Sequence, residues 1–202
     1  TPAALHGGRL APPRLVRTMS RHYFTILGAV SATHRGLELM KRLQLYERLQ
    51  ELLSESRSDE LSALIITSVD YDMAGDSRQL LAAALQASSP HVRVATLRHL
   101  RLLLRQRVQA FALWGIDLLL LGVADRDKTV QREALDVLDE SLDDAECAEY
   151  LIGKPALVMT LQPLGESGVD LLLRFLTEPA GYELLEKSGF VSERLREETL
   201  EE

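Results

Sequence analysis

Val92-Arg93-Val94-Ala95-Thr96-Leu97-Arg98-His99-Leu100 decides the fold. Val92, Thr96, Leu97 and Leu100 recur at the spacing of one face of an α-helix. Further along, 38 residues on, Val130, Ala134, Leu135 and Leu138 repeat that spacing. A second phrase surrounds this echo. Gly36-Leu37-Glu38-Leu39-Met40, Gly115-Ile116-Asp117-Leu118-Leu119 and Gly181-Tyr182-Glu183-Leu184-Leu185 all read glycine, apolar, acidic, Leu, then Leu or Met. Recurrence at about 40 residues, with helical patterning and no strand signal, predicts an all-α, armadillo- or HEAT-like right-handed solenoid of stacked antiparallel helices. One such unit cannot bury its apolar face alone and must stack on a neighbour. The expectation is a scaffold, not a catalyst.

Composition narrows the classes. The chain has 202 residues, room for about four or five helical repeats. Its 46 % apolar content is that of a globular sequence. Leu dominates while Val, Ile, Thr and aromatics are sparse, which favours helices over strands. A net charge of −7 argues against a general nucleic-acid binder. Cys147 is the single cysteine, so no internal disulfide forms, and the chain suits a reducing compartment such as the cytoplasm. The longest apolar stretch, from Val108 to Ala124, is interrupted by Gln109 and Asp117 and is too short to span a bilayer. Thr1 to Pro13 carries no apolar core of a signal peptide. With no initiator Met, the expectation is a segment of a longer protein, with Thr1–Pro13 a linker or tail and 14–202 the helical repeats.

Local signals set the expected elements. A first helix is predicted from Arg14 to Ala32, with apolar positions Leu15, Met19, Tyr23, Ile26, Leu27 and Val30. Ser58 is a predicted N-cap, with Asp59 and Glu60 at the positive helix start. Asp76 or Ser77 is expected to cap the following helix. Ser89-Pro90 is the clearest start signal, an N-cap followed by Pro at the first helical position. Helices are then expected over Val108–Val123, after Asp127, over Ala145–Leu151, and between Pro155 and Pro163. Gly168–Thr177 reads as an inner helix apolar nearly all round. Pro179 starts the last repeat and Gly189 breaks it.

No catalytic constellation is found. Asp70 to Asp76 has a faint calcium-loop look, but its fifth position is Ala74 and its twelfth is Leu81, so it reads as a turn with capping aspartates. His6, His22, His34, His91 and His99 form no metal-ligand set; His22, beside Tyr23-Phe24, reads as a packing residue. Gly165-Glu166-Ser167-Gly168 is no nucleophile elbow, and Gly7-Gly8 lacks the residues of a phosphate loop. Trp114 reads as core. No cofactor or metal is expected. One surface feature stands out. Arg98, Arg101 and Arg105 fall at i, i+3 and i+7 on one helix face, with Arg93, His99 and Arg107 nearby. They could dock an acidic segment, phosphate or lipid headgroup. The expected reading is intramolecular, with Asp125, Asp127, Asp136 and Asp139 of the next acidic helix as counter-charges at low energetic value.

The order of several short strings carries a resemblance. His22-Tyr23-Phe24-Thr25-Ile26-Leu27-Gly28, Ser68-Val69-Asp70-Tyr71-Asp72 with Gly75 and Arg78, and Thr96 to Arg105 come first. Phe111 with Trp114-Gly115-Ile116-Asp117-Leu118-Leu119, Glu133 to Glu140, Lys154-Pro155-Ala156-Leu157, and Leu171 to Leu176 with Pro179, Gly181, Gly189 and Val191 follow. Together, from about Ser20 to Leu195, the chain resembles the middle region of the Rictor family, the rapamycin-insensitive companions of TOR. The resemblance implies an armadillo-like scaffold segment of TOR complex 2. It implies TOR kinase and other subunits as partners, AGC-family kinases as substrates of the complex, and a link to actin organisation. From about 154 to 202 it extends to a part similar to the N-terminal domain of Ras exchange factors, with no catalytic exchange domain following. Thr1–Met19 matches little, and Ser56–Asp59 is looser than the family pattern.

A rival reading is a free-standing armadillo-type adaptor that binds extended peptides. Such grooves present repeated Asn and Trp, whereas this chain has one Trp and no Asn.

Overall fold

The computed structural model describes residues 21–55, 58–154 and 156–194. The expected tail Thr1–Pro13, the start of the first helix with Leu15 and Met19, Pro155 and the chain's last eight residues lie outside them. Among the described residues every regular element is helical. The chain divides into two compact units, Thr1–Phe111 and Ala112–Glu202.

The first unit holds α1 (Arg21–Ser31), α2 (His34–Arg42), α3 (Leu45–Glu55), α4 (Asp59–Ser68), α5 (Asp76–Leu85) and α6 (Pro90–Arg105). Their starts follow from caps. Thr33 is extended and its Oγ1 accepts the Gly36 N–H at 3.1 Å. Ser58 does the same for Leu61 N–H at 3.3 Å, as its sequence predicts. The start of α5 differs from expectation: Gly75 takes the cap position, Asp76 is the first helical residue, and no side chain caps it. Consecutive helices pack on one another, and α3 on α5 and α4 on α6 pack across one intervening helix. Met40, Leu53, Leu61, Ile65, Leu80, Leu97 and Leu100 form the core between them, all nearly inaccessible.

α1 buries a face one position round from the expected one. Tyr23 and Ile26 are 70 % and 56 % exposed, and His22 is exposed rather than packed. Leu27 faces inward as expected, but with Phe24, Gly28 and Ser31 beside it. The reason is steric. A β-carbon on Gly28 would lie 2.8 Å from the Ser68 carbonyl oxygen, so only glycine lets α1 and α4 come this close. Ser31, fully buried, then accepts the Asp70 N–H at 2.8 Å.

The second unit holds α7 (Phe111–Val123, save Phe111 itself), α8 (Lys128–Ser141), α9 (Ala145–Ile152), α10 (Leu157–Leu161), α11 (Glu166–Arg174) and α12 (Pro179–Lys187). Short 3₁₀ turns, Gln162–Leu164 and Phe175–Thr177, link α10 to α11 and α11 to α12. α7 starts three residues later than Val108, because Arg107 and Ala110 both take positive φ near 54° and break the helix. Asp144 caps α9 through the N–H groups of Glu146 and Cys147, a cap not anticipated. α11 is not buried all round: Gly168, Leu171, Leu172 and the following Phe175 are buried, while Leu173 and Leu176 are 38 % and 41 % exposed. Gly189, at φ 81°, does break the helical path, between α12 and the helical residues 190–194.

The 38-residue echo is a positional equivalence. Ser89 and Asp127 both sit at N-caps, and Val92 and Val130 are both third in their helices. All eight echoed residues are buried. The caps differ in chemistry. Asp127 Oδ1 accepts the Thr129 and Val130 N–H groups at 2.8 and 3.3 Å, whereas the Ser89 hydroxyl makes no capping bond. The glycine phrase has a different meaning. Gly36 and Gly181 are each third in a helix, where a β-carbon would fall 1.8 Å from Val30 O and 2.2 Å from Phe175 O. Gly168 plays this part in α11, 2.0 Å from Leu161 O, though outside the phrase. Gly115 is fifth in α7 and buried mid-helix. The phrase therefore marks tight helix entrances at two of its three sites.

Candidate interaction surface

The Asp70–Gly75 loop is a structural junction. Asp70 Oδ1 accepts the Asp72 N–H at 3.0 Å, closing an Asx turn. Tyr71 is buried and donates its hydroxyl to Ile66 O at 2.7 Å. Arg78 donates from Nε to Tyr71 O at 3.2 Å and from Nη2 to Asp72 O and Gln109 O at 2.8 and 3.2 Å. Gln109 N–H in turn donates to Asp72 Oδ1 at 3.2 Å. The loop after α4 and the loop after α6 are thus laced together. The loop's aspartates are spent on its own backbone and its neighbour's, as the turn reading expects. Among the described residues no group of His, Cys, Asp and Glu is placed to hold a metal ion.

α6 brings the predicted arginines onto one side. Arg98 and Arg105 are exposed, Arg101 is half-buried, and Leu102 lies between them at 49 % exposure. None of the three arginines is without a partner. Arg93 is not part of this surface. It is 4 % exposed, and its Nη1 donates to Ala87 O and Ser88 O at 2.7 and 3.2 Å, closing the turn before α6. His99 lies edge-on to Tyr71, ring centroids 5.4 Å apart, and neither of its buried nitrogens meets a hydrogen-bond partner among the described residues. Burial pushes its imidazole down to about 4, so it is neutral at pH 7.

Two polar networks in the second unit escaped the sequence reading. Arg174 of α11 donates from Nη1 to Asp139 Oδ1 and Asp139 O, and from Nη2 to Asp143 Oδ1, each at 2.8 Å. The fork clamps α11 to the end of α8 and raises the guanidinium's affinity for its proton. Asp139, expected to serve the arginine stripe, thus takes Arg174. On α7, Asp117 Oδ1 meets Lys154 Nζ at 2.8 Å and Oδ2 accepts the Tyr150 hydroxyl at 3.0 Å. Lys154 Nζ also sits 4.4 Å above the Tyr150 ring. The one clue in the sequence was a lone carboxylate inside an apolar helix. Cys147 is buried beside Asp144, and burial raises its thiol to about 12, so it is protonated at pH 7.

α7 also shows an open apolar side. Phe111, Ala112, Ile116, Leu119 and Val123 are buried, while Leu113 and Leu121 are 64 % and 44 % exposed either side of Asp117. Trp114, expected in the core, is half-buried. The units differ sharply in charge. Residues 1–111 hold 15 Lys and Arg against 9 Asp and Glu, net +6, and residues 112–202 hold 8 against 21, net −13. No described helix is long and apolar enough to cross a membrane.

Comparison with known proteins matches this layout. Residues 7–104 fit the family model of the rapamycin-insensitive companion of mTOR, middle domain. Residues 110–197 fit that of the RasGEF_N domain of the same companion. Protein pianissimo A of Dictyostelium discoideum is 44 % identical over 186 residues, covering 91 % of this chain and 16 % of its own. The rapamycin-insensitive companion of mTOR of Homo sapiens is 38 % identical over 182 residues, 90 % of this chain and 10 % of its own. The target of rapamycin complex 2 subunit ste20 of Schizosaccharomyces pombe is 32 % identical over 190 residues, 90 % of this chain and 14 % of its own. The chain thus spans 10 to 16 % of the length of these relatives. With two successive domain models of one family filling nearly all of it, and relatives matching nine-tenths of it, the chain belongs to the Rictor family.

Proposed function

We propose that this chain is a non-catalytic scaffold segment of TOR complex 2, stacked as an armadillo/HEAT-like right-handed solenoid through 14–202. In this reading it helps assemble the complex that phosphorylates AGC-family kinases, in the cytoplasm or at membranes the complex visits. TOR kinase supplies the chemistry. The observation that carries the reading is the collinear family match over nine-tenths of the chain, one relative being named a subunit of that complex. The polar groups fit it: Asp70 and Asp72 serve the turn before α5, Asp127 caps α8, and Arg174 ties α11 to Asp139.

The test is made in the longer parent protein. Deleting residues 14–202, or introducing Leu138→Asp, should reduce co-purification of TOR kinase or another complex subunit and lower phosphorylation of an AGC-family substrate in cells. Unchanged assembly and unchanged phosphorylation with the deletion would sink the reading.

A further inference from the structure

The outer side of α7 breaks the usual rule that a helix apolar all round is buried all round. Leu113, Asp117 and Leu121 stand at i, i+4 and i+8, so they form one line along the helix, with the two leucines about 12 Å apart. Two large apolar side chains are open at either end of this line and a carboxylate stands at its centre. Each Asp117 oxygen accepts one bond, from Lys154 or Tyr150, and keeps a lone pair. Beside it runs α9, whose Glu146 is four residues before Tyr150 and shares its face, exposed to solvent. The whole unit carries net −13.

We infer that this face of α7 is a docking site for a basic amphipathic helix. Its apolar stripe would cover Leu113 and Leu121, and a Lys or Arg at the middle of the stripe would reach Asp117, with further basic residues over Glu146. Charge complementarity selects this occupant. A unit of net −13 repels anionic lipid and nucleic acid alike, and attracts a cationic helix before contact. Apolar anchors one helical stripe wide, spaced by two turns, are what a helix laid along a helix supplies. The inference concerns this unit alone and does not depend on which complex the chain serves.

The experiment uses the 202-residue chain and three fluorescent 16-residue helical peptides: a Leu/Lys amphipathic helix, its Leu/Glu counterpart, and a Leu/Lys sequence of the same composition scrambled to remove the stripe. Anisotropy should give saturable binding of the first peptide only, weakening at least tenfold between 50 and 300 mM salt (chosen to bracket strong and weak screening). Leu113→Gln with Leu121→Gln should weaken it at least tenfold at an unchanged melting midpoint, and Asp117→Asn by a smaller factor. Should the variants misfold, a photo-crosslinker on the peptide, mapped by mass spectrometry, should label 113–121 in the unmodified chain. Equal binding of all three peptides, crosslinks elsewhere, or no saturable binding would overturn the proposal. So would sedimentation showing the face already closed by a second copy of the chain.

Discussion

His99 shows how one residue's surroundings become a property of the whole fold. Its imidazole, packed on Tyr71, has a folded pKa near 4 against an ordinary value of about 6.5. As pH falls below 6.5 the unfolded chain takes up the proton first, so unfolding gains. Stability is therefore complete above pH 6.5 and declines toward pH 4, by at most about 1.4 kcal/mol per pH unit from this group. Below pH 4 both states are protonated and the decline stops. Urea midpoints measured from pH 7.5 to 4.5 should show this slope, and His99→Phe should flatten it; an equal slope in that variant would assign the effect elsewhere. Leu138 offers a second residue-scale test. It is fully buried, so Leu138→Asp places an uncompensated charge in the core and should cost more than about 3 kcal/mol. An unshifted thermal midpoint would contradict its placement.

At the scale of the element, helix entrances carry the strictest geometry. Gly181→Ala puts a methyl group 2.2 Å from the Phe175 carbonyl and must push α12 off the preceding 3₁₀ turn. A loss of about 1–3 kcal/mol is expected, read as a lower melting midpoint with helical content kept. A neutral substitution would mean the turn is looser than described. The arginine side of α6 makes a weaker claim. Since none of Arg98, Arg101 and Arg105 is without a partner, changing all three to Gln should lower stability modestly, by roughly 0–1 kcal/mol each, and, under the proposed scaffold role, leave assembly of the complex intact. Loss of a binding partner at an unchanged melting temperature would instead make this face a docking site.

For the whole molecule, similarity to a RasGEF_N domain invites an assay of exchange. That domain's model covers residues 110–197, where the polar side chains described tie helices together: Arg174 to Asp139 and Asp143, Lys154 to Asp117. The purified chain is expected to leave the rate of guanine-nucleotide release from Ras-type proteins at the level of a heat-denatured control. A reproducible acceleration would overturn the scaffold reading for this unit.

How much was legible from sequence divides along a physical line. Helix type, most starts and the buried leucines follow from signals within one or two turns of chain: Ser58 and Asp127 as caps, Pro90 and Pro179 at first positions, Leu97 with Leu100 and Leu135 with Leu138 at helical spacing. The order of short strings was enough for the family. What stayed hidden depends on residues far apart in sequence. α1 turned its face because Gly28 meets Ser68 across 40 positions. Arg93 is a local exception, drawn off the surface by the Ala87 and Ser88 carbonyls six and five residues before it. Asp117 found Lys154 37 residues away. Periodicity tells which residues share a helix face; only the packed neighbours decide which of two adjacent faces is covered, and Leu113 and Leu121 of α7 are left exposed among the described residues.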